Sequence, residues 1–104
     1  MKYNILYERD AEQDLIKIVT YITKDLNNPT AAKNLHLKII ETLDNIANFP
    51  TSAPMSKYIN LQTYGIRQIT VDNFSIFYYP DTDNKNILVL FIKYAQMDLS
   101  KLKL

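Results

Sequence analysis

The fold is decided by residues 65–94, which read GIRQITVDNFSIFYYPDTDNKNILVLFIKY. Three runs in this stretch, at 65–71, 74–79 and 86–94, are rich in the β-branched and aromatic residues that favour strands. The breaks between the runs are built from Asp and Asn, whose side chains bond their own backbone and tolerate left-handed dihedral angles. We therefore predict an antiparallel meander of three strands.

The chain before the meander begins with a strand and a helix. Residues 2–7 predict a short first strand. Asp10 predicts the start of a helix, with Gln13 in the capping-box position, and this helix should end near residues 25–28. Its predicted core stripe has helical spacing and consists of Ala11, Leu15, Ile18 and Ile22.

A second helix follows after a short connection. Asn28 is a good cap, and Pro29 suits the first helical position because its missing N–H would be unpaired there anyway. Phe49-Pro50 should end this helix. The predicted core stripe is Ala32, Leu35, Ile39, Leu43 and Ile46, widened by Ile40 and Ala47. The short connection predicts that the two helices are antiparallel neighbours.

The predicted architecture is α+β in the order β-α-α-β-β-β, with a helical hairpin on one face of a twisted antiparallel sheet. Residues 50–57 predict a loop, residues 58–64 a short strand or a lead into the meander, and residues 98–104 a last turn or a tail. Residues 87–92 are apolar on both faces, which predicts a central strand covered on both sides. Either the C-terminal tail or a partner chain should provide the second covering.

Composition limits the classes of function. A chain of 104 residues with 47% hydrophobic content predicts one domain spanning residues 1–104. It has no cysteine, and it has neither a signal-peptide pattern nor an apolar run of the ~18 residues that a membrane span needs, so we expect a soluble cytoplasmic protein without membrane contact. The net charge of +1 lacks the basic excess of avid nucleic-acid binders.

Few side chains are candidates for chemistry. Arg67 should share a strand face with apolar residues, so it either contacts a phosphate or an acidic partner, or pairs with a carboxylate at the strand end. His36, the only histidine, has no carboxylate one turn away, which favours a structural or surface role. With one glycine and no metal-ligand cluster, the sequence predicts no phosphate-binding loop, no metal and no cofactor.

Aromatic and basic residues crowd the second half of the chain. The tyrosines could stack on bases, but strand tyrosines more often fill cores, and we favour the core interpretation. The lysines could surround a groove, although isolated lysines are usually solvated. The residues concerned are Tyr58, Tyr64, Tyr78, Tyr79 and Tyr94, with Lys57, Lys93 and Lys101.

The order of elements resembles the RelE/ParE superfamily of bacterial toxins from type II toxin–antitoxin modules, and the resemblance covers nearly the whole chain. The segment Ala11-x-x-Asp14-Leu15-x-x-Ile18-x-x-Tyr21-Ile22 is similar to the first helix of that family. Gly65-Ile66-Arg67 and Asn73-Phe74-Ser75-Ile76-Phe77-Tyr78 resemble the Gly-x-Arg and aromatic-x-Ile-x-Tyr strands of ParE-like members. The last predicted strand, running into residues 94–99, occupies the place of the final strand of the family.

The resemblance implies a growth-inhibiting toxin, closest to the ParE branch, which acts on DNA gyrase by protein contact and is linked to plasmid stabilisation. Its RelE-like alternative is a ribosome-dependent mRNA interferase, in which Arg67 would hold phosphate and Tyr94 would assist proton transfer, with Lys93 as a further available group. Many members carry an arginine where Ser75 stands and a His-Gly-Arg-Arg-type segment where residues 94–97 stand. These departures weaken the nuclease interpretation and also motivate a third one, an inactive homologue that only binds its antitoxin.

The resemblance also implies partners. A cognate antitoxin should wrap the toxin and fold as it binds, covering apolar surface. The target would be DNA gyrase or the ribosome with its mRNA, operator DNA would be reached only through the antitoxin, and a homodimer is compatible with the sequence.

Overall fold

The computed structural model describes residues 2–104 of the chain. The elements follow the predicted order, with one additional short helix. They are β1 (Asn4–Tyr7), α1 (Arg9–Thr20), a π-helical turn (Tyr21–Asp25), α2 (Pro29–Asn48), α3 (Ile59–Gln62), β2 (Arg67–Val71), β3 (Phe74–Asp81) and β4 (Asn86–Tyr94). None of the helices in residues 2–104 is both long and apolar enough to cross a lipid bilayer.

The predicted meander is confirmed. β2, β3 and β4 are antiparallel neighbours. Asp72 adopts a positive φ of 53° in the first reversal, and Lys85 a φ of 56° at the end of the second. Gly65 (φ 79°) forms the turn before β2, and a Cβ atom there would lie 3.3 Å from the ring of Tyr79. The positive φ favours glycine at this position, and a side chain there would also need the Tyr79 ring to move by a few tenths of an ångström.

The sheet is mixed rather than wholly antiparallel. Its strand order is β1-β4-β3-β2, and β1 lies parallel to β4. The three later strands are joined by tight turns, which require antiparallel pairing, but β1 is connected to the sheet through the helical hairpin. No tight turn therefore fixes the direction of β1, and its sequence pattern does not indicate whether it pairs in parallel or antiparallel.

α1 begins earlier than predicted and without the predicted cap. The N-cap residue is Glu8, no side chain caps the helix, and Asp10 lies within the first turn. The backbone N–H of Glu8 donates to Val89 of β4 (2.9 Å), so Glu8, which alone separates β1 from α1, continues the strand pairing up to the start of the helix. The predicted core stripe of this helix faces the sheet, and its end falls within the predicted range.

α2 supplies most of the core between the helices and the sheet. Asn28 caps it as predicted, accepting a hydrogen bond from the N–H of Ala31 (3.1 Å), and Pro29 is its first residue. The predicted stripe is buried, including Ala47. Ile40 is the exception, because it remains 46% exposed beside α1.

A second, smaller core lies on the opposite face of the sheet. The segment 58–64 forms the one-turn helix α3 and not a strand, and Leu61 of this helix packs with Phe77, Phe91 and Leu99. The Asn60 side chain donates to the carbonyl oxygens of Leu99 (3.0 Å) and Leu102 (2.8 Å). The C-terminal tail therefore covers the second face of the sheet, which was one of the two predicted alternatives.

Candidate partner-binding groove

A groove opens between helix α1 and the end of the meander. We call it the α1 groove, and its volume is about 620 Å³. The helical side and the sheet side contribute equally to it. Its lining residues are Asp14, Lys17, Ile18, Tyr21, Ile22 and Leu26 on the helical side, and Asn73, Phe74, Ile92, Lys93, Tyr94 and Met97 on the sheet side.

The π-helical turn shapes the helical side of the α1 groove. The N–H of Leu26 donates to the carbonyl oxygen of Tyr21 (3.1 Å), five residues earlier. The wider turn leaves Tyr21 and Leu26 about half exposed at the rim of the groove. Turns of this kind are rare and occur frequently at functional sites.

Asp14 fixes the position of α1 against the sheet. β1 pairs with β4 only as far as Val89, so the edge of β4 beyond that residue has no strand beside it. The Asp14 carboxylate accepts the backbone N–H of Ile92 (3.0 Å) and contacts the ammonium group of Lys93 (3.2 Å). The carboxylate therefore pairs an N–H at the edge of β4 that no strand reaches, and it links α1 to the sheet beside the groove.

The sheet side of the groove is aromatic. The rings of Phe74 and Tyr94 meet edge to face, with their centroids 5.3 Å apart. Tyr94 and Met97 are each 48% exposed. Exposed apolar side chains gathered in one concave surface are characteristic of a binding site for a partner. Two of the three charged lining residues, Asp14 and Lys93, already pair with each other, so the groove is suited to an apolar ligand surface with few charges.

The other end of β2 and β3 is closed. The guanidinium group of Arg67 donates to the carbonyl oxygens of Ala53 (2.7 Å) and Thr51 (3.3 Å) in the loop after α2. The alternative of a carboxylate partner is therefore wrong, because backbone oxygens of a neighbouring loop reach the guanidinium group instead. The Nε atom of Arg67 is buried and has no partner within residues 2–104.

Tyr78 reinforces the same closed end. It lies opposite Arg67 on the adjacent strand, and its hydroxyl group donates to the carbonyl oxygen of Pro50 (2.9 Å). Burial raises the pKa of Tyr78 above 10.0, while a hydrogen bond with the Ala53 backbone and the charge of Arg67 act in the opposite direction. Together the two side chains hold the loop at residues 50–53 onto the sheet.

Arg67 and Tyr94, the two residues proposed for RNA cleavage, lie at different ends of the meander. Arg67 is opposite Tyr78, and Tyr94 is opposite Phe74. These positions are four residues apart on β3, with three residues between them, which is about 13 Å along the strand. In this structure the two side chains therefore do not face one another across a single site.

The remaining sequence candidates divide between core and surface. His36 is exposed on α2, as expected. Among the tyrosines, Tyr78 is buried, but Tyr64, Tyr79 and Tyr94 are exposed, so the core interpretation is wrong for those three. Ser75 is 2% exposed beneath the second core, where Gln68 approaches its hydroxyl group (3.5 Å).

The lysines do not surround one groove. Lys57 lies over the ring of Tyr58, 5.2 Å from its centroid, and Lys93 pairs with Asp14. Lys101 is exposed on the tail. Within residues 2–104 no three His, Asp or Glu side chains come together in a way that could hold a metal ion.

Three residues of the α1 groove were missed by sequence reasoning. Tyr21, Leu26 and Met97 are large apolar residues that lie outside the predicted core stripes. This departure from the stripe is the signal that could have identified them. This signal points to one site only after the fold has placed the π-helical turn next to the end of β4.

Comparison with known proteins agrees with this architecture. The sequence profile of a family described as "ParE toxin of type II toxin-antitoxin system, parDE" matches residues 5–99. A mixed four-stranded sheet with a helical hairpin is thus the scaffold of a toxin class. The chain belongs to the ParE toxin family of type II toxin–antitoxin systems, and the RelE/ParE resemblance of the sequence is confirmed.

Solved structures of toxin–antitoxin complexes share the fold. A chain from the chromosomal ParDE system of P. aeruginosa superposes with a TM-score of 0.71 at 20% identity, covering 91% of this chain and 98% of that one. A chain of the RelBE2 complex of Mycobacterium tuberculosis gives a TM-score of 0.61 at 14% identity, covering 90% and 99%. One from the E. coli RelBE complex gives 0.53 at 12% identity, covering 91% and 99%. None of the curated protein sequences matches the chain directly.

Proposed function

We propose that this ParE-family chain inhibits bacterial growth in the cytoplasm by binding DNA gyrase, and that a cognate antitoxin neutralises it by occupying the α1 groove. The observation that carries the proposal is the groove itself, an apolar and aromatic surface with Tyr21, Leu26, Tyr94 and Met97 about half exposed. A monomeric protein rarely exposes such a surface without a partner.

The antitoxin segment should be largely apolar where it enters the groove. The floor of the groove is formed by Ile18, Ile22 and Ile92, and the Asp14–Lys93 pair needs no further counter-charge. An amphipathic helix inserts a row of apolar side chains into a groove of this kind. Lys17 is the one charged lining residue outside that pair, so it favours an acidic residue at the edge of the bound helix. In this proposal operator DNA is contacted only by the antitoxin.

The state of Arg67 supports inhibition by protein contact rather than RNA cleavage. Cleavage through the 2′-hydroxyl group of RNA needs an acid, a base and a group that stabilises the phosphorane charge, all close together. Here the Arg67 guanidinium group is engaged by two carbonyl oxygens, and Tyr94 is at the other end of β3. The titratable side chains near Tyr94 are those of Asp14 and Lys93, which already form an ion pair with each other.

The first experiment tests toxicity and neutralisation. The chain is expressed from an inducible promoter with and without the product of the neighbouring open reading frame, and growth is followed. We expect growth arrest with the chain alone and recovery with the second protein. Tyr94→Ala should abolish recovery by the second protein or toxicity itself, whereas the matched control Tyr64→Ala, at an exposed tyrosine outside the groove, should behave like the parent chain. Normal growth with the parent chain alone would indicate an inactive homologue.

The second experiment identifies the target. Purified chain is added to a gyrase supercoiling assay and, in parallel, to ribosomes translating a defined mRNA. The proposal predicts loss of supercoiling or accumulation of gyrase–DNA breaks, with intact mRNA. Cleavage of mRNA at the decoding site, abolished by Arg67→Met, would instead assign RelE-like activity and contradict the gyrase part of the proposal.

A further inference from the structure

The free edge of β1 is the second unexplained surface of the molecule. β1 lies at the end of the sheet, and its backbone groups alternate in direction. The N–H group of Asn4 donates to Lys85, the residue before β4 (3.0 Å), and that of Glu8 donates to Val89 of β4 (2.9 Å). The backbone groups of Ile5 and Tyr7 therefore point away from the sheet, and within residues 2–104 they have no hydrogen-bond partner. Unpaired strand edges of this kind favour pairing with another strand.

The opposite edge of the sheet is protected. Gln68 of β2 donates its backbone N–H to Pro54 (3.1 Å), and Met55 bridges to Arg67. The loop after α2 therefore covers β2, and β1 is the edge at which another strand can add.

An apolar groove lies beside the free edge. It is lined mostly by apolar side chains, Ile5 and Tyr7 of β1 with Leu15, Ile40 and Leu43 of the two helices, and its volume is about 430 Å³. Glu12 and His36 are its two polar lining residues. Leu6, on the other face of β1, is 47% exposed, and Ile40 is 46% exposed. The edge thus has apolar surface on both faces, next to unpaired backbone groups.

We propose that a second copy of this chain pairs with the first through β1, antiparallel and with a two-fold axis at Leu6. In this register Ile5 of one copy lies opposite Tyr7 of the other, and each pair exchanges two hydrogen bonds. The residues that pair are therefore the same two whose backbone groups are free. Leu6 packs against its own copy across the axis, and the two apolar grooves become neighbours.

The surroundings of β1 select this register over the adjacent one. A two-fold axis at Ile5 would need the N–H of Tyr3, which already donates to the carbonyl oxygen of Ala47 (2.8 Å). An axis at Leu6 places position 9 opposite Tyr3, where the chain has already left the strand for α1.

Cysteine cross-linking tests this register directly, because the native chain contains no cysteine. Residues that face each other at a non-hydrogen-bonded antiparallel position have Cα atoms about 4.5 Å apart, within the range that a disulfide spans. Leu6→Cys should therefore form a covalent dimer on mild oxidation of the purified chain. The matched control is Asn4→Cys, on the same face of the same strand and also exposed, whose copies would lie about 13 Å apart and should stay monomeric.

Association of the native chain is measured by sedimentation equilibrium over a dilution series. Leu6→Lys places two like charges on the axis and should weaken self-association about tenfold or more. The control Ile59→Lys, at a residue 72% exposed on α3, should leave it unchanged. A native chain that stays monomeric, or equal cross-linking of the two cysteine variants, would overturn the proposal. Leu6→Lys that weakens antitoxin binding while leaving self-association unchanged would assign the edge to the antitoxin and also overturn it. These outcomes do not depend on toxicity or on gyrase.

Discussion

The two ends of β3 differ in how they use their exposed chemistry. At one end, the side chains of Arg67 and Tyr78 donate their hydrogen bonds to the loop at residues 50–53. At the other end, the rings of Phe74 and Tyr94 meet edge to face and line an open groove. The first end contains the charged residue that sequence reasoning favours as a functional site, and the second contains mainly aromatic and apolar surface.

This difference indicates which end is available to a partner. A guanidinium group that already donates to two carbonyl oxygens would have to break those bonds to hold a phosphate, and burial makes that costly. The aromatic end exposes surface that becomes buried only when another molecule binds. We therefore assign structural roles to Arg67 and Tyr78, and place the proposed antitoxin site at the residues of the α1 groove.

The largest effect is expected at the closed end. Arg67→Met keeps the aliphatic stem but removes the hydrogen bonds to Ala53 and Thr51, and it should lower the free energy of unfolding by about 2–3 kcal/mol. Urea denaturation measures this change. Lys57→Met, at an exposed lysine of the same region, should change the stability by less than ~0.5 kcal/mol. Equal stability of the two variants would show that the loop is held by other contacts.

The next effect concerns binding at the open end. Tyr94→Ala removes half of the Phe74–Tyr94 pair and should weaken antitoxin binding by about 2 kcal/mol, or roughly thirtyfold. Isothermal titration calorimetry with the antitoxin measures it. The exposed Tyr64→Ala is the control and should bind like the parent chain. If Arg67→Met weakened binding more than Tyr94→Ala did, the assignment of the two ends would be reversed.

A smaller effect on stability is expected from removing only the hydroxyl group of Tyr78 and keeping its ring. Tyr78→Phe loses the bond to Pro50 and should be about 1 kcal/mol less stable at neutral pH. Burial raises the pKa of Tyr78, so the folded state retains its proton more strongly than the unfolded chain does. Stability should therefore fall as the pH rises above 10.0 and through the folded-state pKa, and Tyr78→Phe should reduce this fall because phenylalanine cannot ionise.

Burial also raises the pKa of Tyr7, so part of the alkaline loss should remain in Tyr78→Phe. Thermal unfolding between neutral pH and pH ~11 provides the measurement. Tyr64→Phe serves as the control at an exposed tyrosine and should reproduce the parent profile. An unchanged alkaline profile in Tyr78→Phe would contradict the buried, hydrogen-bonded state assigned to that hydroxyl group.

The smallest effect is expected at Asp14. Asp14→Asn keeps an oxygen that can accept the N–H of Ile92 but loses the charge that faces Lys93, and the cost should be about 0.5–1 kcal/mol. The difference from the parent chain should shrink in high salt because the pair is partly exposed. Denaturant unfolding at low and high salt measures both values. A cost that is independent of salt would indicate that the backbone contact, and not the ion pair, dominates.

Local periodicity and turn chemistry were sufficient to predict most of the fold. The stripes at spacings of three and four residues identify both helices, and Asn28-Pro29 marks the start of α2 because cap and proline act within one turn. The meander follows from Asp72-Asn73 and the polar break before β4. The parallel pairing of β1 depends on the path of the helical hairpin, and the one-turn helix α3 is too short to have a periodicity, so neither could be predicted.

The site was less predictable because it is formed by residues that are far apart in the sequence. Arg67 was correctly placed among apolar neighbours, but its carbonyl partners belong to a loop that precedes it by more than ten residues. Tyr94 was identified, although for proton transfer and not for packing. Tyr21 and Met97 join it only because Asp14 holds α1 beside the last strand.

The central claim is that the partner binds at the open end, and hydrogen exchange of the chain with and without its antitoxin tests it most directly. Amide groups of residues 17–26 and 92–97 should exchange more slowly in the complex, while residues 50–56 and 67–71 should exchange as they do in the free chain. Slower exchange confined to residues 50–56 and 67–71, with no change along the α1 groove, would contradict this account.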